Sequence, residues 1–384
     1  MRRRYKVLTA ILTVVALGLV SLAVAMSHNS PCGSAPPAPR TGATPMKAIV
    51  YRCYGPPEVL AFEDIDKPPV AVNEVLVRIR AASVNPLDWH YMRGTPYIMR
   101  LDSGVGAPTV TRLGVDFAGT VEAVGRDVKE FRPGDEVFGT KRGAFAEYVA
   151  VPDDRPMVPK PPGVSFEQAA AVPVAAITAL QALRDKGRIR AGQRVLINGA
   201  SGGVGTFAVQ IAKSFGADVT GVCSTRNVAL VRSIGADHVI DYTKEDFTAG
   251  HRRYDLVVDM VGNHPLLAVR RVLKPEGRLV IVGGEKGNWI KPIDRVIKAS
   301  LLSPFVSQEL HRLFADVTRE DLTFLAELMS SGQLTSVIDR RYALRELPEA
   351  IRYLEEGHAR GKVVILPDES LVPGDAQPTS QEAG

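Results

Sequence analysis

Gln193-Arg194-Val195-Leu196-Ile197-Asn198-Gly199-Ala200-Ser201-Gly202-Gly203-Val204-Gly205 constrains this chain more than any other stretch of it. A short apolar strand enters a glycine-rich turn and leaves it as an amphipathic helix that runs to about Phe215. Gly199, Gly202 and Gly205 stand three residues apart. Each has a task in a dinucleotide-binding turn: a tight bend, close main-chain approach to a pyrophosphate, and tight helix–strand contact. The helix that follows would aim its first amides and the positive end of its dipole at the phosphates.

The rhythm around the turn agrees with it. Short apolar strands at 194–197, 219–223, 238–241, 256–260 and 278–282 alternate with helical stretches at 205–215, 227–234 and 265–273. Such alternation predicts an α/β, doubly wound parallel sheet with helices on both faces. Residues 47–150 read differently. Strands at 48–51, 74–81, 119–124 and 136–138, punctuated by Gly-Pro pairs and Pro133-Gly134-Asp135, predict a β-rich first domain with little helical periodicity. Ser165 and Gln168 would cap a helix through Ala169 and Ala171. The tail offers a strand near Ile338, a helix at 347–356 and a strand at 362–366, and turns polar and frayed from Asp368.

The end of the second strand selects the cofactor. NAD-binding turns are followed about 20 residues later by an acid that bonds the ribose 2′-hydroxyl. This chain has Ser224-Thr225-Arg226-Asn227 there, with no carboxylate. Hydroxyls and a guanidinium suit a 2′-phosphate, so NADPH is expected.

Charge excludes another class of function. The net charge of +5 equals the contribution of Arg2, Arg3, Arg4, Lys6 and Arg40, which precede Met46 with no acid among them. The rest of the chain is close to neutral and lacks a basic footprint for nucleic acid. Cys32, Cys53 and Cys223 form neither a disulfide framework nor a Cys-x-x-Cys pair and read as unremarkable residues. From Val7 to Met26 the sequence is uncharged and about as long as a membrane-crossing helix. Three readings stay open: a membrane anchor, a cleaved export signal, or a true start at Met46. The anchor reading, with the basic cluster kept in the cytoplasm, places the catalytic part outside it. Residues 27–45 read as a linker.

Further motifs point to a family. Gly192 through Lys213, Ser83-Val84-Asn85-Pro86-Leu87-Asp88, Gly114-Val115-Asp116-Phe117-Ala118-Gly119, Gly143-Ala144-Phe145-Ala146-Glu147-Tyr148, Gly235-Ala236-Asp237 and Gly361-Lys362-Val363-Val364 occur in one order. The chain resembles the zinc-free, zeta-crystallin-type quinone oxidoreductases of the medium-chain dehydrogenase/reductase superfamily over about 46–367. That resemblance implies a GroES-like β-barrel domain at 46–167, completed by 306–367, and a Rossmann NADP-binding domain at 168–305. It also implies a homodimer. Zinc-dependent cousins keep a Cys, a His-Glu pair and a four-cysteine lobe. This chain has Val115-Asp116 at the pair and no cysteine between Cys53 and Cys223, so no metal is expected.

The expected reaction is hydride transfer from NADPH to a quinone or an α,β-unsaturated carbonyl, resting on orientation rather than a Lewis acid. By resemblance, Asn85 and Asp88 lie near the nicotinamide, Asn85 as a carbonyl or cofactor anchor, and Tyr91 and Tyr97 are candidate proton donors. The resemblance also carries Thr178 to the nicotinamide or ribose and Ser201, Gly202, Gly203 and Val204 to the pyrophosphate. It brings Ser224, Arg226, Asn227 and Tyr242 to the 2′-phosphate, Gly262 and Gly283 to strand ends near the cofactor, and Lys362 to a phosphate. The alternatives are a non-catalytic NADPH-binding protein and an enoyl-reductase-like module.

Overall fold

A computed structural model describes residues 2–33, 42, 44–285, 287–289, 291 and 293–368. The tail expected to fray from Asp368, apart from Asp368 itself, and about half of the linker at 27–45 lie outside the described residues.

Six parallel strands form one sheet in the spatial order His238–Asp241, Asp218–Cys223, Arg194–Asn198, Tyr254–Asp259, Leu273–Ile281, Glu309–Arg312. Numbered along the chain, that order is 3-2-1-4-5-6, the doubly wound arrangement. Its central strands are buried along nearly their whole length, as a sheet covered on both faces requires. The order reverses between Arg194–Asn198 and Tyr254–Asp259, and a crevice opens at their carboxyl ends. The helix Gly203–Ser214 follows the glycine turn and packs with Pro173–Gln181 through Ile177, Leu180, Phe207 and Ile211, all fully buried.

The second sheet is built mainly around the long strand Glu74–Val84. Asp116–Val124 and Tyr148–Pro152 pair with it antiparallel, and the tail strand Lys362–Leu366 joins its far end. The chain therefore returns from the parallel sheet to complete this second one. A further bridge links Gly202 of the glycine turn to Gly361, so the tail strand touches both halves. The β-rich segment also holds a helix that periodicity did not reveal, Pro86–Arg93. It has Pro at its first position, where a missing N–H costs nothing, and ends on Gly94 in the left-handed region at φ 60°.

Two expectations for the N-terminus need correction. A helix does form over Arg2–Ser27, but among the described residues no helix is long and apolar enough to cross a membrane. Four basic residues fall in its first turns, and Thr13, Gly18 and Ser21 interrupt the part whose side chains are described. The membrane anchor and the placement outside the cytoplasm that rested on it are withdrawn. Nor are the first two cysteines unremarkable: Cys32 and Cys53 form a disulfide. They lie 21 residues apart with no local spacing motif, so sequence alone could not pair them. Buried Arg100 adds a second fastening, donating to the His28 carbonyl and Asn29 Oδ1, both at 2.8 Å. Cys223 is free and buried.

Candidate active site

The turn at the head of the first parallel strand is made of main chain. Gly199 has φ +90°, and its amide and that of Ala200 both donate to the Val222 carbonyl. A Cβ on Gly205 would lie 2.0 Å from the Gly199 carbonyl oxygen, so only glycine lets the helix start this close to the turn. The first-turn amides of the helix, from Gly203, Val204 and Gly205, have no intrahelical acceptors. Nothing stands within 3.4 Å of a Cβ placed on Gly202, which leaves the turn open to a pyrophosphate.

Ser201, Ser224 and Asn227 are brought together at the end of the second strand. Asn227 Nδ2 donates to Ser201 Oγ at 3.0 Å and Ser224 Oγ at 3.1 Å, tying the turn to the strand end. Asn227 Oδ1 is buried with no partner, an acceptor that a ribose hydroxyl would satisfy. Arg226 donates to the His358 carbonyl at 2.8 Å and meets no carboxylate among the described residues. Thr225 faces elsewhere: its hydroxyl donates to Asp241 at 2.6 Å and touches Thr243. The Asp241 carboxyl is held well below the usual range by that hydroxyl first. Of the two hydroxyls expected for a 2′-phosphate, that of Thr225 is engaged by Asp241 and that of Ser224 joins the Asn227 bridge. Tyr242 is half exposed beside the same strand end. These groups fit NADPH.

Gly262 and Gly283 sit at the ends of the fourth and fifth strands, but their missing side chains serve those ends first. A Cβ on Gly283 would lie 2.1 Å from the Met260 carbonyl oxygen, and one on Gly262 would lie 2.7 Å from Gly284 Cα. Thr178 bonds back to the Val174 carbonyl at 2.7 Å within its helix.

Beneath the crevice, four distant segments meet in a buried polar network. Asp116 Oδ2 accepts from Ser83 Oγ at 3.0 Å and Asn85 Nδ2 at 2.9 Å, while its Oδ1 accepts from the Val174 amide at 3.1 Å. Lys362 Nζ donates to Asn85 Oδ1 at 2.6 Å and lies 3.8 Å from Asp116. Asp88 accepts from the Asn85 amide at 2.8 Å and the Gly114 amide at 3.1 Å. Burial pushes the Asp88 carboxyl up to about 7, the charge on Asp116 adding to it against the two amide bonds. Burial likewise raises Asp116 and lowers Lys362, each opposed by the other's charge.

This network changes two expected roles. Lys362 is fully buried, with its stem under Gly203, and its ammonium is spent on Asn85 and the Val84 carbonyl rather than offered to a phosphate. Asn85 is engaged at both ends, because its oxygen takes Lys362 and its amide nitrogen gives to Asp116 at 2.9 Å and more weakly to the Ser83 carbonyl at 3.5 Å. Asp116, where the metal-binding cousins have their acid, is wholly engaged. Among the described residues no cluster of three or more His, Cys, Asp or Glu could hold a metal ion.

Above the network a small recess is lined by Tyr51, Asp88, Tyr91, Arg112 and Arg142, with Gly114 at its wall. Tyr91 lies face-on to the Arg142 guanidinium, 4.3 Å from ring centroid to Cζ. Tyr97 instead stacks edge-on against Trp289 at 4.7 Å, and its amide donates to the Asn288 carbonyl, bracing the two halves across the cleft. His90 is bound to the Thr95 carbonyl. Sequence reasoning missed Tyr51, Arg112 and Arg142, which flank family motifs without belonging to them. A larger concavity of about 400 Å³ lies at the far edge of the parallel sheet and contains none of these residues.

Comparison with known proteins agrees with this layout. Residues 71–162 match the alcohol dehydrogenase GroES-like domain, and residues 234–365 match the family described as zinc-binding dehydrogenase. The mitochondrial NAD(P)H oxidoreductase RTN4IP1 of Mus musculus is 35% identical over 84% of this chain and 89% of its own length. The chloroplastic NADPH-dependent alkenal/one oxidoreductase of Arabidopsis thaliana is 33% identical over 84% of this chain and 80% of its own. Among solved structures, the quinone oxidoreductase from Coxiella burnetii superposes with a TM-score of 0.74 at 33% identity, covering 84% of this chain and 99% of that one.

Proposed function

We propose that this chain, which belongs to the zinc-free quinone oxidoreductase branch of the medium-chain dehydrogenase/reductase superfamily, is an NADPH-dependent reductase of quinones and α,β-unsaturated carbonyls. One observation carries the cofactor choice: Arg226 and the Ser201–Asn227–Ser224 bridge lie at the end of the second strand, where the neighbouring acid, Asp241, is engaged by the Thr225 and Thr243 hydroxyls. Bound there, NADPH supplies a hydride to an electron-poor carbon of the acceptor.

The chain's own residues position and enclose. The bare turn at Gly199, Ser201, Gly202, Gly203, Val204 and Gly205 would hold the pyrophosphate through amides, and Thr178 would border the nicotinamide side. Arg226, Ser224 and Asn227 would hold the adenosine ribose and its 2′-phosphate, with Tyr242 alongside and Gly262 and Gly283 lining the strand ends. Asn85, Asp88 and Lys362 fix the floor of the site. Tyr91 borders the acceptor, its hydroxyl making no hydrogen bond among the described residues, and donates a proton or orders the water that does so. The GroES-like domain is assigned to 46–167 with 306–367 and the Rossmann domain to 168–305. The strand Glu309–Arg312 extends the parallel sheet beyond that limit. A homodimer is supported by the free edge of that strand and by Phe305 and Phe314, both largely exposed near it.

The test is NADPH oxidation by purified protein against a panel of quinones and alkenals. Turnover with NADPH and little with NADH is expected. Tight NADPH binding with no turnover on any acceptor would identify a non-catalytic binder instead.

A further inference from the structure

Most of the partly buried arginines of this protein have been given partners. Arg52 pairs with Glu63, Arg93 with Glu355, Arg278 with Glu309 and Arg295 with Asp259. Arg100 is satisfied by the carbonyls of Gly94 and His28 and by Asn29. Arg112 and Arg142 differ. Both line the small recess over Asp88, both are partly buried, and among the described residues neither makes an ion pair or a hydrogen bond. Arg142 rests only on the ring of Tyr91. Arg112 lies against Gly143, where a Cβ would come within 3.2 Å of its Cζ, so any side chain at 143 would crowd the guanidinium.

Their placement is fixed by the fold. Val50 bridges Arg112, and the Tyr51 amide donates to the Thr111 carbonyl at 2.9 Å. Burial draws the Arg112 pKa below its ordinary value, the mark of a cation held partly out of water without an anion. The one acid in the recess does not supply that anion: Asp88 accepts from the amides of Asn85 and Gly114 and, among the described residues, makes no ion pair with either arginine. Two guanidiniums lining one opening, neither paired with a carboxylate among the described residues, form a receptor for an anionic oxygen, which charge-assisted N–H groups bind.

We infer that Arg112 and Arg142 form an anion-binding subsite for the acceptor, so that the preferred substrate is an enone or quinone carrying a carboxylate. The inference rests on the reductase reading, because it assigns the recess to the acceptor. The recess measures about 10 Å³, the space of one water-sized group. It therefore takes an oxygen of a terminal group, and the body of the acceptor stays in the open cleft. The subsite also gives Tyr91 a second task, since its ring holds Arg142 in place through cation–π contact.

The experiment compares acetylacrylate with its methyl ester on the full-length protein. Titration calorimetry in the presence of NADP⁺ reads binding without turnover. The acid should bind at least about 10-fold more tightly than the ester, as a charge-assisted pair predicts. Arg112→Gln and Arg142→Gln should each cut that ratio several-fold, and the lysine substitutions should restore part of it. In the wild-type protein, about 0.5 M salt should weaken the acid and leave the ester little changed. This last measurement carries the test if either variant fails to fold. Equal binding of acid and ester, no binding of the acid, or a ratio that survives both glutamine substitutions overturns the subsite. NADPH oxidation is measured in parallel and separates the two claims. Turnover with equal binding removes the subsite and keeps the reductase. A preserved binding ratio with no turnover on either compound or on the panel of quinones and alkenals removes the reductase and overturns the acceptor assignment, leaving an anion site only.

Discussion

The two ends of the site are built by opposite means. The phosphate end is one continuous stretch of main chain, residues 198–205, and its chemistry comes from amides and from absent side chains. The end proposed for the nicotinamide is a set of buried side chains, Ser83, Asn85, Asp88, Asp116 and Lys362, drawn from segments as far apart as residues 83 and 362. The first is local and open to solvent, and the second is non-local and closed. They should therefore fail differently when perturbed: one should lose ligand, the other should lose the fold.

The strongest test of the local half is Gly205→Val. With 2.0 Å available at Cβ, the helix cannot keep its start, and NADPH affinity should fall by roughly 100-fold or more as the amides lose their aim. Titration calorimetry with circular dichroism checks this, and near-normal binding would mean that the main chain is not what holds the cofactor. Next is Lys362→Met, which strands Asp116 in the interior. It should cost about 3–5 kcal/mol of stability in urea unfolding, with little change in NADPH affinity of the protein that stays folded. The reverse pattern would return Lys362 to the phosphates and erase the contrast.

Asp88 sharpens the comparison through pH. The unfolded carboxyl loses its proton near about 3.9, whereas the folded one keeps it up to about 7. Across that window the folded state binds more protons, so stability falls as pH rises and levels off above about 7, by about 4 kcal/mol in all. Asp116, also raised, adds in the same direction. Asp88→Asn should flatten most of that slope when unfolding is measured at pH values on either side of the window. A variant with the wild-type slope would assign the titration elsewhere. The smallest effect belongs to the exposed rim. Arg226→Gln should weaken NADPH by about 1.5–3 kcal/mol, the range for bonds to a charged group, and leave NADH nearly unaffected. Equal losses for both coenzymes would remove the 2′-phosphate from Arg226.

The same contrast governs what could be read from sequence. The dinucleotide turn was legible because its strand, glycines and helix are consecutive, and the NADPH expected from Ser224–Asn227 agrees with the named cofactor of a relative. Asn85 and Asp88 were legible as motif residues, but their work was not, since it depends on Lys362 and Asp116 arriving from other segments. Lys362 was expected at a phosphate by family resemblance alone. Its ammonium instead points inward to Asn85, a direction no spacing rule encodes. Thr225 was lost to Asp241 for the same reason. Arg112 and Arg142 come to line one recess only once Asp116–Val124 and Glu136–Thr140 have paired. The amino-terminal run misled because lack of charge was taken for capacity to span a bilayer.

The bond between Cys32 and Cys53 spans the junction between the amino-terminal helix and the first strand. A protease that cuts anywhere between those two positions would produce two polypeptides but only one particle. The small fragment would migrate with the large one on a gel until thiol is added, and would then leave as a separate band. Mature and clipped material would thus look identical without reductant, and amino-terminal sequencing would report two ends from a single species.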